Sequence, residues 1–282
     1  MSKCEKRDFV GAISDFTKCI AINPKCESAY FNRGIALLNK GDSRLAIDDL
    51  TVAIKYNSKN ESAWGNRGIA HSAQGDLDEA ISDLTQAIAL NPQSARAYYN
   101  RGLVYSRKEN HEQAFADFRR AIKVDPKYPY VHYAYANYLY ARQNWEEALS
   151  EYRKSCEVAE TLPYAKLRIW LVCARIGQRE QASKELALFV RGSEKNGDWY
   201  SKLSGFLLGA LPESDLLKAA ETRDPLADSH QKCEAYFYAG TVRLIGGDLP
   251  GCKELFRKCL ETNVKDYSEY VCAAAELKEL EK

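Results

Sequence analysis

The feature that most constrains this chain is a tripeptide, Asn-Arg-Gly, found at residues 32–34, 66–68 and 100–102, two steps of 34 residues apart. Small residues return around each copy at the same offsets: Gly34, Gly68 and Gly102, then Ala46, Ala80 and Ala114, then Ala53, Ala87 and Ala121. An aromatic precedes each glycine by four positions, as Tyr30, Trp64 and Tyr98. A fixed period of this length is the mark of a stacked helical array. Glycine inside a helix costs about 1 kcal/mol relative to alanine, so three in register require a compensating gain. Close helix contact supplies it: a glycine on one helix facing alanines on the next lets the axes approach to the short end of the roughly 8–10 Å range.

The full pattern runs aromatic, Gly, Ala, apolar, Ala, Pro, and the second copy matches it throughout with Trp64, Gly68, Ala80, Leu84, Ala87 and Pro92. The third copy is as complete, with Tyr98, Gly102, Ala114, Phe118, Ala121 and Pro126. This pattern resembles the tetratricopeptide repeat. The resemblance implies an all-α, right-handed solenoid of antiparallel helix pairs whose first helices line a concave groove. Residues 8–22 match the second helix of a pair, with Ala12, Phe16 and Cys19 at the expected offsets. Truncation, a misplaced start or coverage by another subunit would each account for its missing partner. Repeats then follow at about 27–60, 61–94, 95–128, 129–162 and 163–196, turning at Gly41-Asp42, Gly75-Asp76, Glu109-Asn110, Gln143-Asn144 and Gly177-Gln178. The fifth places Trp170 in the glycine slot, which predicts a wider pair.

Beyond Arg191 the register breaks. Four glycines and two prolines interrupt short helices at about 199–208 and 213–222, and a sixth repeat-like unit follows around Tyr236, Gly240, Cys252, Phe256 and Cys259. A closing helix at about 266–281 is expected to turn Tyr270, Ala274 and Leu277 inward and its charges outward. The reading divides the chain into a repeat array, 1–196, and an irregular tail, 197–282. That tail resembles the C-terminal part of bacterial NlpI-type repeat proteins, which implies as the alternative a homodimeric adaptor, formed through the first helix or the 198–225 insert, that docks folded enzymes of the cell envelope or of proteolysis on its outer face.

Net charge of +1 removes the electrostatic footprint of a nucleic-acid or anionic-membrane binder. Nine scattered cysteines point to reduced thiols. Together with a charged N-terminus lacking the apolar core of a signal sequence, this predicts a cytoplasmic protein, or an envelope-associated one if an upstream signal has been removed. Cys19, Cys252 and Cys259 stand in alanine slots and read as small buried thiols. No phosphate loop, nucleophile elbow or metal-binding spacing occurs, so neither catalysis nor a cofactor or metal is expected.

The candidate site is a peptide-binding groove. Asn32, Asn66 and Asn100 precede the packing glycine by two positions, where this repeat directs side chains into the groove. An amide offers acceptor and donors that match an extended backbone. Phe31, Arg96, Tyr99, Tyr130, Tyr133, Asn137 and Tyr140 share groove-facing offsets, and aromatics with polar tips bind partners at low entropic cost. Among repeats that clamp a C-terminal carboxylate, lysine and arginine line the groove; here Phe31, Ile35 and Asn100 stand at those positions and only Arg96 fits, which disfavours that mode. Arg33, Arg67 and Arg101 recur beside Asp15, Asp49, Asp83 and Asp117. Spacing leaves open whether each meets the aspartate of its own repeat or of the one before.

Overall fold

The computed structural model describes residues 9–128, 130–158, 163–192, 198–265 and 267–282. By packing they form two compact units that divide between Tyr128 and Pro129.

In the first unit, α1 (Phe9–Ile22) precedes three helix pairs: α2 (Glu27–Lys40) with α3 (Ser43–Tyr56), α4 (Glu61–Gln74) with α5 (Leu77–Leu90), and α6 (Ala95–Arg107) with α7 (His111–Val124). The turns are built alike. Gly41 and Gly75 take φ of 98° and 93°, a left-handed conformation that only glycine adopts freely. It lets the amide of the next residue reach back, Asp42 N–H to the Leu37 carbonyl at 2.9 Å and Asp76 N–H to that of His71 at 3.0 Å. Glu109 and Gln143 hold the corresponding positions in the next two turns with φ of 56° and 59°.

The repeated small residues do what their spacing predicts. Ala46, Ala53, Ala80, Ala87, Ala114 and Ala121 have no exposed surface, and Gly34, Gly68 and Gly102 are buried against the paired helix. A Cβ at Gly68 would lie 2.8 Å from Leu84 Cγ and 3.1 Å from the Ala80 carbonyl oxygen. The backbone oxygen cannot give way. Gly65, one turn earlier, has only Ala87 Cβ at 3.9 Å. Gly68→Val should therefore lower the stability of the chain by about 2–3 kcal/mol through overpacking. Gly65→Ala should be neutral or raise it by up to about 1 kcal/mol through helix propensity. Urea midpoints followed by circular dichroism distinguish the two, and equal shifts would refute this account of the glycine.

Charged rungs tie the pairs together, and they resolve the question that spacing left open. Arg67 Nε and Nη2 donate to both carboxylate oxygens of Asp83, in its own repeat, at 2.7 and 2.8 Å, while Nη1 donates to Thr51 Oγ1 of the repeat before at 3.0 Å. Arg33 joins Asp49 and Thr17, and Arg101 joins Asp117 and Thr85, in the same way. Each guanidinium also lies beside the repeat's aromatic, 5.8 Å from the Tyr30 ring centroid, 4.9 Å from Trp64 and 5.9 Å from Tyr98. Bidentate pairing fixes direction as well as distance, so each rung sets the register of three helices. Cys19, expected in a buried alanine slot, is exposed: α1 buries none of its residues.

The second unit begins with two further pairs, α8 (Val131–Ala141) with α9 (Trp145–Val158) and α10 (Pro163–Arg175) with α11 (Arg179–Gly192). In the fifth repeat Trp170 is buried in the glycine slot and its indole N–H donates to Ser183 Oγ at 2.9 Å. Two short helices follow, α12 (Trp199–Leu207) and α13 (Glu213–Ala219), and then a third pair, α14 (Pro225–Ile245) with α15 (Leu249–Glu261), and a closing helix, α16 (Ser268–Leu280). Gly240 repeats the close-packing device, with Phe256 Cε1 at 2.8 Å from a Cβ placed there. Cys252 and Cys259 fill their slots as buried thiols, Cys259 Sγ lying 3.4 Å from Cys233 Sγ.

The closing helix differs from its expected orientation. Its buried residues are Glu269, Cys272, Ala273, Glu276 and Leu277, whereas Tyr270 and Ala274 are half-buried. Two of the charges expected to face water are inside, because α10 presents to them the buried Arg168 and the half-buried Arg175. α14 and α16 both pack on the first helices of the unit, α14 on α10 and α16 on α8. That packing puts the fourth and fifth repeats in one compact unit with the tail.

Candidate functional site

In the first unit, successive first helices touch one another, α2 with α4 and α4 with α6. Bonds cross between them: Glu27 Oε1 accepts from Asn60 Nδ2 at 2.8 Å, and Glu61 Oε1 accepts from Ser94 Oγ at 2.9 Å. Each packing glycine faces the second helix of its pair. A residue two positions earlier lies about 200° round the helix, on the opposite side. Asn32, Asn66 and Asn100 occupy that side, at one amide per repeat.

Their environments differ along the series. Asn32 is exposed and its Nδ2 donates to the Ser28 carbonyl at 2.8 Å. Asn66 is only 4% exposed; it donates to the Ser62 carbonyl at 2.7 Å and accepts from Arg96 Nη2 at 2.9 Å. An amide has two N–H groups and two lone-pair sites on its oxygen, so these bonds leave Asn66 one of each. Its burial makes it a support for the exposed Arg96 guanidinium. Asn100 is half-buried. Phe31 packs on the cluster of Leu37, Ala46, Leu50 and Ala70, and Tyr99 meets Tyr128 edge-on at 5.5 Å. The wall they form is amide and apolar with one outward-reaching cation.

The groove residues predicted for the fourth repeat have another fate. Tyr130 is exposed. Tyr140 has no exposed surface: its ring lies 6.0 Å from Phe237 of α14 and 5.1 Å from Trp145, and burial pushes its hydroxyl up to about 12. Asn137 Oδ1 accepts from Tyr152 at 2.6 Å, and Cys272 of α16 lies over the Asn137 carbonyl. Tyr133, half-buried, stands 5.8 Å from the Tyr152 ring; burial, with the Glu269 charge adding to it, holds its hydroxyl up at about 12. Tyr133, Asn137 and Tyr140 are therefore contacts for the chain's own C-terminal helices and not open groove residues.

What holds those helices is a buried charged cluster that the periodicity did not reveal. Arg168 is wholly buried; its Nη2 donates to Glu269 Oε1 at 2.9 Å and to Ser268 Oγ at 3.2 Å, and its guanidinium lies 4.4 Å from the Phe237 ring. One period of seven later, Arg175 Nη2 donates to Glu276 Oε1 at 2.5 Å and stacks 4.7 Å from Trp145. A third carboxyl, Glu234 on α14, accepts from Trp199 Nε1 at 2.5 Å and Tyr164 Oη at 3.3 Å. Burial raises it to about 8, with repulsion from Glu269 adding to the shift. The signal available in the sequence was the shared spacing: two arginines seven apart on one helix and two glutamates seven apart on another. Among the described residues no group of three or more His, Cys, Asp or Glu is placed to hold a metal ion, and no helix is long and apolar enough to cross a membrane.

The sequence model of the tetratricopeptide repeat family matches residues 31–95, 66–129 and 105–161. No curated protein matches the chain. Among solved structures, one titled a tetratricopeptide repeat protein from Parabacteroides merdae ATCC 43184 is 19% identical, over 91% of this chain and 99% of that one, with a TM-score of 0.56. The pilF protein of Pseudomonas aeruginosa is 20% identical, over 68% of this chain and 87% of that one, with a TM-score of 0.58. A thermophilic repeat protein of Thermus thermophilus is 22% identical, over 57% of this chain and 88% of that one, with a TM-score of 0.51. At these identities the likeness is one of fold. The fold supports a protein-interaction scaffold with protein or peptide partners. The glycine–alanine period, the antiparallel pairs and the family match agree: residues 31–161 of this chain are an array of tetratricopeptide repeats.

Proposed function

We propose that this chain is a non-catalytic scaffold that holds an extended segment of a protein partner along the first-helix wall of its first unit. The observation that carries this is the alignment of Asn32, Asn66 and Asn100 on the side of α2, α4 and α6 away from the packing glycines, flanked by Phe31, Arg96 and Tyr99. Asn32 and Asn100 offer amide bonds to main chain of any sequence. Arg96, steadied by Asn66, adds selectivity for a carbonyl-rich or acidic position, and Phe31 and Tyr99 take apolar side chains.

A photoreactive residue at position 99 should crosslink a polypeptide from native lysate, and one at position 45 on the exposed face of α3 should not. The double change Asn66→Ala and Asn100→Ala should lower that yield several-fold with far-ultraviolet circular dichroism unchanged. Equal crosslinking from both positions, or a yield that the double change leaves intact, overturns the proposal.

A further inference from the structure

A helix that serves only to seal an array is expected to bury apolar surface, and α16 buries little. Of its inward residues, Leu277 alone is a large hydrophobe; Cys272 and Ala273 are small, and Glu269 and Glu276 are charged. Both carboxylates meet arginines of α10 spaced by the same seven residues. Buried ion pairs recover little beyond their desolvation cost, so this contact specifies alignment more than it adds adhesion. The fit is also incomplete. Arg168 Nε and Nη1 and Arg175 Nε are buried and have no hydrogen-bond partner among the described residues. Donors left in this state keep the desolvation cost of burial without a bond to offset it.

We infer that the face of α8 and α10 is a docking site for an acidic amphipathic helix with two carboxylates seven residues apart and small residues between them, occupied in cis by α16 and open to exchange with such a helix on a partner protein. The two arginines fix the spacing and sign of the ligand, the small residues let it lie close over Tyr133 and Asn137, and the three orphan donors favour a competitor that carries further acceptors. This face belongs to the second unit and the wall of Asn32 and Asn100 to the first, so either assignment can fail without the other.

The probe is a labelled peptide of residues 267–282, followed by fluorescence anisotropy against the full chain and against the full chain carrying Glu269→Gln and Glu276→Gln, which strips the cis helix of its two carboxylates and leaves Arg168 and Arg175 for the peptide to pair. The peptide should bind the variant at least tenfold more tightly than the unaltered chain, and a peptide with the same two glutamines should bind neither. Equal binding of the two peptides, or no binding to a variant whose helical content is intact, overturns the inference. Hydrogen exchange on the unaltered chain tests it without any substitution: α16 amides should exchange at least tenfold faster than those of α10, and equal protection refutes an exchangeable helix.

Discussion

Arg168→Ala is expected to cost the second unit about 3–5 kcal/mol, the range for breaking one side of a buried ion pair. Arg168 has no exposed surface, and its partner Glu269 is only 3% exposed. Truncation leaves that carboxylate uncompensated, and it empties the space between the rings of Phe237, Tyr140 and Tyr238, whose centroids lie 4.4, 5.3 and 6.0 Å from the guanidinium carbon. Charge and cavity losses act together. Replacing both partners at once, as Arg168→Met with Glu269→Leu, removes the desolvation burden along with the pair and should come within about 1 kcal/mol of the unaltered chain. A double-mutant cycle in urea measures the coupling; a single-variant loss below about 1 kcal/mol would show that the pair is solvated in solution.

The second large effect is on pH. Burial, followed by the Glu269 charge, raises Glu234 from 4.5 to about 8. The folded chain therefore keeps a proton that the unfolded chain releases between those values, and stability falls as pH rises through that window. The loss is complete only above the folded value and is on the order of a few kcal/mol. The groups facing Glu234 are the Tyr164 hydroxyl, the Trp199 indole, Glu269, Arg168 and Tyr267. Glu234→Gln keeps the hydrogen-bonding shape and cannot ionise. The drop in melting temperature from pH 6 to pH 9 should be smaller in this variant by the Glu234 share. Identical drops in the two proteins would place the carboxyl in its ordinary range.

The repeat geometry was legible in the sequence because it depends on small residues, and a strict period of small residues has little cause besides close helix packing. Gly34, Gly68 and Gly102 and their alanine partners located both the helices and the faces on which they meet. The arginine rungs were visible as a recurrence, but their pairing was not: Asp49 and Asp15 both repeat with Arg33, and only coordinates show that the guanidinium forks toward its own repeat. The tail was harder to read for a physical reason. Glu269 and Glu276 belong to a residue type that is almost never fully buried unless paired, and their partners lie about a hundred residues away on α10. A one-dimensional period cannot express a contact between elements that share no repeat. The same gap misplaced Tyr133, Asn137 and Tyr140, whose offsets suit a groove that the C-terminal helices fill.

The rungs of Thr51, Arg67 and Asp83 carry a consequence for how such a chain can change length. Every rung borrows its hydroxyl from the repeat before, so deleting one whole period, residues 27–60, brings Thr17 to the place that Thr51 held, and the guanidinium finds an equivalent acceptor. Removal of a number of residues that is not a whole multiple of 34 strands it. The array thus has a built-in unit of growth and loss, and a gain or loss of whole modules leaves every surviving crosslink intact.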